Sequence, residues 1–149
     1  MFISQIMVWR FHSIKLLFNM NTVATMTSLI EMSEFIGKSI EQEIDRDNPD
    51  ELTGKLMELC SLQSNASHAY ALAEQLYNVK LAELVQKPEH SKLSATDKKM
   101  LFAGLAREEI YYMTLNERYI RNLSHSIEAI RSALSWKKTE LEQSKYQTT

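Results

Sequence analysis

The chain contains only two prolines, three glycines and one cysteine in 149 residues. So few turn-forming residues exclude an all-β fold, which needs a turn between every pair of short strands. Pro49 and Pro88 are the only residues that must interrupt a helix, and after Pro88 nothing stops one. No apolar run approaches the ~20 residues of a membrane-spanning helix, so no membrane span is expected. The single Cys60 rules out a disulfide within the chain and fits a reducing compartment. It stands beside Leu59 and Leu62, so it is expected to be a small buried hydrophobe and not a nucleophile. Net charge is −2, which gives no bulk attraction to a polyanion.

Chemistry-bearing clusters are missing too. His12, His68, His90 and His125 are not paired with one another at helical spacing, and Cys pairs and the Glu-x-x-His pattern of a di-iron bundle are absent. No metal and no cofactor is expected. There is no glycine-rich phosphate loop and no nucleophile beside a base. Glu108 and Glu109 are adjacent on a helix, so their side chains diverge by ~100° and make no acid/base dyad. The chain is not expected to be an enzyme.

Good helix formers (Leu, Ala, Glu, Lys and Met) dominate after residue 26. A first helix is expected from about Thr27 to Asp45, with the stripe Leu29, Met32, Ile36, Ile40 and Ile44. A second spans about Pro49 to Gln86, capped by Asn48 with Pro49 as its first residue. Its face reads Leu52, Leu56, Leu59, Leu62, Ala66, Ala69, Ala73, Leu76 and Leu84. Ser94 to Asp97 resembles a capping box, and one continuous third helix is expected from about Ala95 to Tyr146, roughly 75 Å long. Along it Phe102, Ala106, Glu109, Met113, Asn116, Ile120, Leu123, Ile127, Ile130, Leu134, Lys137 and Leu141 recur at alternating steps of four and three, a heptad seam.

These signals predict an all-α fold: an antiparallel hairpin of long helices plus one shorter helix, making a three-helix bundle with a projecting C-terminal coiled-coil segment. In the expected register, facing residue numbers sum to about 182. Residues from Ser132 to Tyr146 then lack an intrachain partner, and Leu134, Trp136 and Leu141 there are expected to form the contact of a homo-oligomer. Residues 26–149 form the helical domain. Residues 1–25, rich in Phe, Ile, Met and Leu but broken by Arg10, His12 and Lys15, are an extension. The expectation is a start site placed too far upstream, with Met20, Met26 or Met32 as the natural one. The alternative is a short amphipathic anchor.

Charge is uneven. Residues 27–60 carry three basic residues against nine acids, whereas residues 91–149 carry ten against seven. Arg131, Lys138 and Lys145 recur at seven-residue spacing with Lys137 adjacent, and Arg107 and Arg118 share another line with Arg121 on its edge. Tyr111, Tyr112, Tyr119 and Trp136 are interleaved with them. Cations along a track with aromatic platforms suit single-stranded nucleic acid. Arg118, Arg121, Arg131, Lys137 and Lys138 are the expected phosphate contacts, with Trp136 or Tyr119 stacking on bases.

The pairs Ala69-Tyr70 and Leu76-Tyr77, the Ser94–Asp97 helix start, and a tail reading I-x-x-x-RS-x-LS-x-x-K from Ile127 to Lys138 resemble a group of small helical phage proteins. Those are encoded in replication and recombination modules. The layout is more distantly similar to the recombination mediators of large phages, helical ring-forming proteins that bind single-stranded DNA. The resemblance covers about Ser61–Leu141 and implies a recombination accessory factor in the cytoplasm of a bacterial host. The acidic first helix departs from that pattern. It fits the alternative expectation, a protein-binding module that inhibits a host defence enzyme or serves as an assembly factor.

Overall fold

A computed structural model describes residues 25–41 and 47–147. Among them there are four α-helices and no strand: α1 (residues 25–40), α2 (Pro49–Val85), α3 (Ala95–Leu105) and α4 (Arg107–Gln147). A single 3₁₀ turn, Pro88–His90, lies between α2 and α3. Residues 1–24 of the expected extension (1–25), and Ile44, lie outside the described residues.

Local chemistry sets the helix ends. The Asn48 side chain accepts hydrogen bonds from the Asp50 and Glu51 amides at 3.0 and 3.4 Å, and Pro49 occupies the first turn, where its missing N–H costs nothing. Ser94 Oγ accepts from the Asp97 amide at 3.2 Å and donates to Asp97 Oδ2 at 2.7 Å. Between these helices the buried His90 pins the turn. Its Nδ1–H donates to the Leu84 carbonyl at 2.7 Å, and its ring packs on Phe102 with centroids 5.3 Å apart.

One expectation is corrected here. The third helix is not continuous: it breaks at Ala106, whose φ of −102° and ψ of 22° leave the helical region. The Ala106 amide and carbonyl stay bonded, to the Phe102 carbonyl at 2.8 Å and the Ile110 amide at 3.1 Å. No proline is involved, and Gly104 is the weakest helix former within a turn of the break.

Four contacts orient the helices. Gln63 Nε2 donates to Ser124 Oγ at 2.8 Å, and Lys137 Nζ lies 3.7 Å from Asp47 Oδ1, so α2 and α4 run in opposite senses. These pairs sit about two to five positions off the expected register. On α1, Ser33 meets Asn116 and Gly37 meets Tyr119, so α1 runs parallel to α4. A Cβ built on Gly37 would stand 2.6 Å from Tyr119 Oη, so the missing side chain is what lets the ring approach.

The core gathers Leu29 and Ile36 from α1, Leu52, Leu59, Leu62, Ala66, Ala69, Ala73 and Leu76 from α2, and Leu123, Ile127 and Ile130 from α4. Each buried Leu or Ile contributes roughly 1.5–3 kcal/mol of transfer free energy. Most of the α2 face, and the seam at Phe102, Ala106, Asn116, Leu123, Ile127 and Ile130, are therefore buried where the spacing predicts. Cys60 is not: it is exposed. It lies two residues before Leu62, ~200° around the helix, so neighbours in sequence are not neighbours in space.

Candidate nucleic-acid interface and oligomer contact

Two polar contacts hold α1 to the long helices. Asn116 is fully buried, and its Nδ2 donates to Ser33 Oγ at 2.9 Å and to the Tyr112 carbonyl at 2.8 Å. Ser33 Oγ in turn donates to the Leu29 carbonyl at 2.7 Å, while Asn116 Oδ1 has no partner. Lys55, buried on α2, donates to the Ser39 carbonyl at 2.9 Å and pairs with Glu58 at 3.0 Å. A cation on the last carbonyls of α1 matches the negative end of its dipole. Lys55 is not among the site residues expected from the sequence; its signal there is the position three after Leu52 and four before Leu59, inside the apolar face.

The five expected phosphate contacts are not brought together. Arg121 is committed to Glu117 at 2.6 Å. Lys137 is half-buried, donates to the Asp47 carbonyl at 3.2 Å and closes the entry to α2. Arg118, Arg131 and Lys138 are exposed. At ~100° per residue, Arg131 and Lys138 stand about 140–160° around α4 from Arg118, close beside the seam.

The expected oligomer contact is also revised. Leu134 is half-buried against the core of its own chain, so the overhang begins beyond it and beyond Lys137. Trp136 and Leu141 are exposed, at 67% and 61%. Leu141 continues the seam, but Trp136 follows Leu134 by two residues and faces ~160° away, so the three residues form no common face.

Trp136 instead shares a line with Arg118, about 27 Å away at 1.5 Å per residue. That line, at positions 107, 111, 114, 118, 122, 125, 129, 132 and 136, reads Arg, Tyr, Thr, Arg, Asn, His, Ala, Ser, Trp. It lies opposite the seam, it is exposed at every position except the half-buried Thr114, and it carries no carboxylate. At its N-terminal end Arg107, Glu108, Tyr111 and Tyr112 line a shallow cleft of about 570 Å³, with the two tyrosine rings edge to face at 5.1 Å. Burial pushes the Tyr112 and Tyr119 phenols above the ordinary value. Tyr111 adds to both, Glu108 and Glu34 add to Tyr112, and Glu41 adds to Tyr119.

Among the described residues no His, Cys, Asp and Glu cluster could hold a metal ion, and no helix is long and apolar enough to cross a membrane. No protein-family model, curated protein or solved structure matches the chain.

Proposed function

We propose that the protein is a non-enzymatic helical binding protein that self-associates and engages single-stranded nucleic acid, in the manner of a recombination accessory factor. Its architecture on this reading is an antiparallel hairpin of α2 with α3 and α4, joined by α1 into a three-helix bundle, with α4 projecting beyond Lys137. The observation that carries the nucleic-acid reading is the carboxylate-free line of α4, where cations and aromatic rings alternate on one exposed face. Cations neutralise phosphates and release counterions, and Trp136 and Tyr111 offer faces on which bases stack whatever their sequence. Arg131 and Lys138, across the helix, add phosphate contacts only where a second copy brings its own helix alongside. Self-association is supported by Leu141, an exposed seam residue in continuity with the buried seam.

A second reading has its own observation. The outer face of α1, with the residue that follows it, exposes Phe35 among Glu31, Glu34, Lys38 and Glu41, a net acidic surface around one aromatic anchor. That composition suits a protein partner and repels phosphate.

Titrating the full chain with a single-stranded oligonucleotide separates the two. The nucleic-acid reading expects binding that weakens steeply with salt and that falls in Arg118→Glu and in Trp136→Ser. An absence of binding at low salt leaves the protein-partner reading in possession.

A further inference from the structure

The order of side chains around the first turns of α4 gives the cleft there a direction. Arg107 and Glu108 are adjacent and diverge by ~100°, and Tyr111, one turn on, projects between them, about 40° from Arg107 and about 60° from Glu108. Tyr112 follows on the far side of Glu108. Around the surface the cleft therefore presents a cation, a ring, a carboxylate and a second ring. Glu109 takes no part, because it turns to the seam and is half-buried. On a helix about 11 Å across, side-chain ends at the divergence of Arg107 and Glu108 stand ~8 Å apart. That is close to the reach from a nucleotide's phosphate to the outer edge of its base.

The charged groups of the cleft are not committed elsewhere. Arg107 and Glu108 are exposed and make no ion pair or side-chain hydrogen bond among the described residues. Arg121, by contrast, is held by Glu117 at 2.6 Å. Tyr111 is 59% exposed, and its edge-to-face contact with Tyr112, at 5.1 Å and 86°, braces the ring without covering it. Burial, then Tyr111, Glu108 and Glu34 of α1, hold the Tyr112 phenol above its ordinary value. Negative charge thus gathers at the Tyr112 end of the cleft, and Arg107 supplies positive charge at the other.

A ligand that matches this order carries an anionic group, a flat ring, and hydrogen-bond donors on the far edge of that ring. A nucleotide has all three. An ionised carboxylate only accepts hydrogen bonds. Adenine, cytosine and guanine each offer it an exocyclic amino group, whereas thymine and uracil present carbonyl oxygens, which it repels.

Resting on the nucleic-acid reading above, we propose that the cleft takes one nucleotide of the strand and reads its base: Tyr111 stacks on the base, Arg107 holds its phosphate, and Glu108 accepts from its amino group. α4 thereby joins one discriminating position to a line that elsewhere binds any sequence. Glu108 costs affinity for phosphate and supplies selectivity in return.

The test compares oligo(dC) with oligo(dU) of equal length on the full chain, at low salt and neutral pH. The two strands are both pyrimidine and differ only along the base edge that Glu108 would face. The native chain is expected to bind oligo(dC) about fivefold to tenfold more tightly, the effect of one hydrogen bond to a charged group. Glu108→Gln, whose amide both donates and accepts, should bring the two affinities to within roughly twofold. Tyr111→Ala should weaken both and erase the difference, because the base loses its platform. Equal affinities in the native chain overturn the proposal and leave the broader nucleic-acid reading intact. A preference for oligo(dC) that survives Glu108→Gln also overturns it, and assigns the discrimination to another surface. Binding of neither strand removes the nucleic-acid reading and this proposal with it.

Discussion

The buried amide of Asn116 divides its two N–H groups between Ser33 Oγ and the Tyr112 carbonyl. Ser33→Ala strands one of those N–H groups in the core, which costs about 1–3 kcal/mol. Asn116→Leu strands nothing, because the Ser33 hydroxyl already donates to the Leu29 carbonyl. Urea unfolding should therefore show Ser33→Ala strongly destabilised and the double variant Ser33→Ala with Asn116→Leu close to the parent. A double variant no better than Ser33→Ala would mean that the amide is not what the serine satisfies. Tyr112 and Tyr119 make a second residue-scale prediction. Burial raises both phenols above the value of 10.0 they have unfolded, so the fold favours their neutral form. Their contribution is complete below pH 10 and is lost as pH rises through the raised folded values. Stability measured above pH 10 should fall, and fall less steeply in Tyr112→Phe with Tyr119→Phe. Parallel alkaline limbs for parent and double variant would remove the tyrosines from the account.

Among the elements, the entry to α2 is clasped from α4 by Lys137, through the Asp47 carbonyl at 3.2 Å and its carboxylate at 3.7 Å. Lys138 is its neighbour in sequence and is exposed. Lys137→Glu should cost about 1 kcal/mol, by loss of the hydrogen bond and repulsion from Asp47, while Lys138→Glu should stay within about 0.5 kcal/mol of the parent. Equal thermal shifts for the two would show that the clasp contributes nothing. What the sequence made legible at this scale was local or periodic. Asn48 with Pro49, the Ser94–Asp97 cap, the α2 face and the seam from Phe102 to Ile130 all follow from propensity and spacing. What it hid depends on partners distant in the chain. Lys55 is buried because the end of α1 supplies a carbonyl, and Ser33 because Asn116 lies opposite. The Ala106 break carries no proline to announce it. At the candidate site, residue types are legible but their grouping is not: the hairpin register groups Trp136 with Leu134 and Leu141 as an overhang, whereas helical geometry sets it with Arg118.

Taken as a whole, the molecule is a helical body with two unlike surfaces, a carboxylate-free line along α4 and an acidic α1 that exposes Phe35. Such charge segregation does little for folding and much for orientation of partners. One short patch on a single copy offers few phosphate contacts, so the proposed activity depends on repetition of α4 in an assembly, where contacts sum and salt sensitivity grows. Self-association and nucleic-acid binding therefore stand or fall together in this account. The measurement that reaches both is the native mass of the full chain, with and without a single-stranded oligonucleotide, at low and high salt. The account predicts an integral multiple of the chain mass at both salt concentrations, shifted upward by bound oligonucleotide at low salt only. A single-chain mass that no oligonucleotide changes would contradict it.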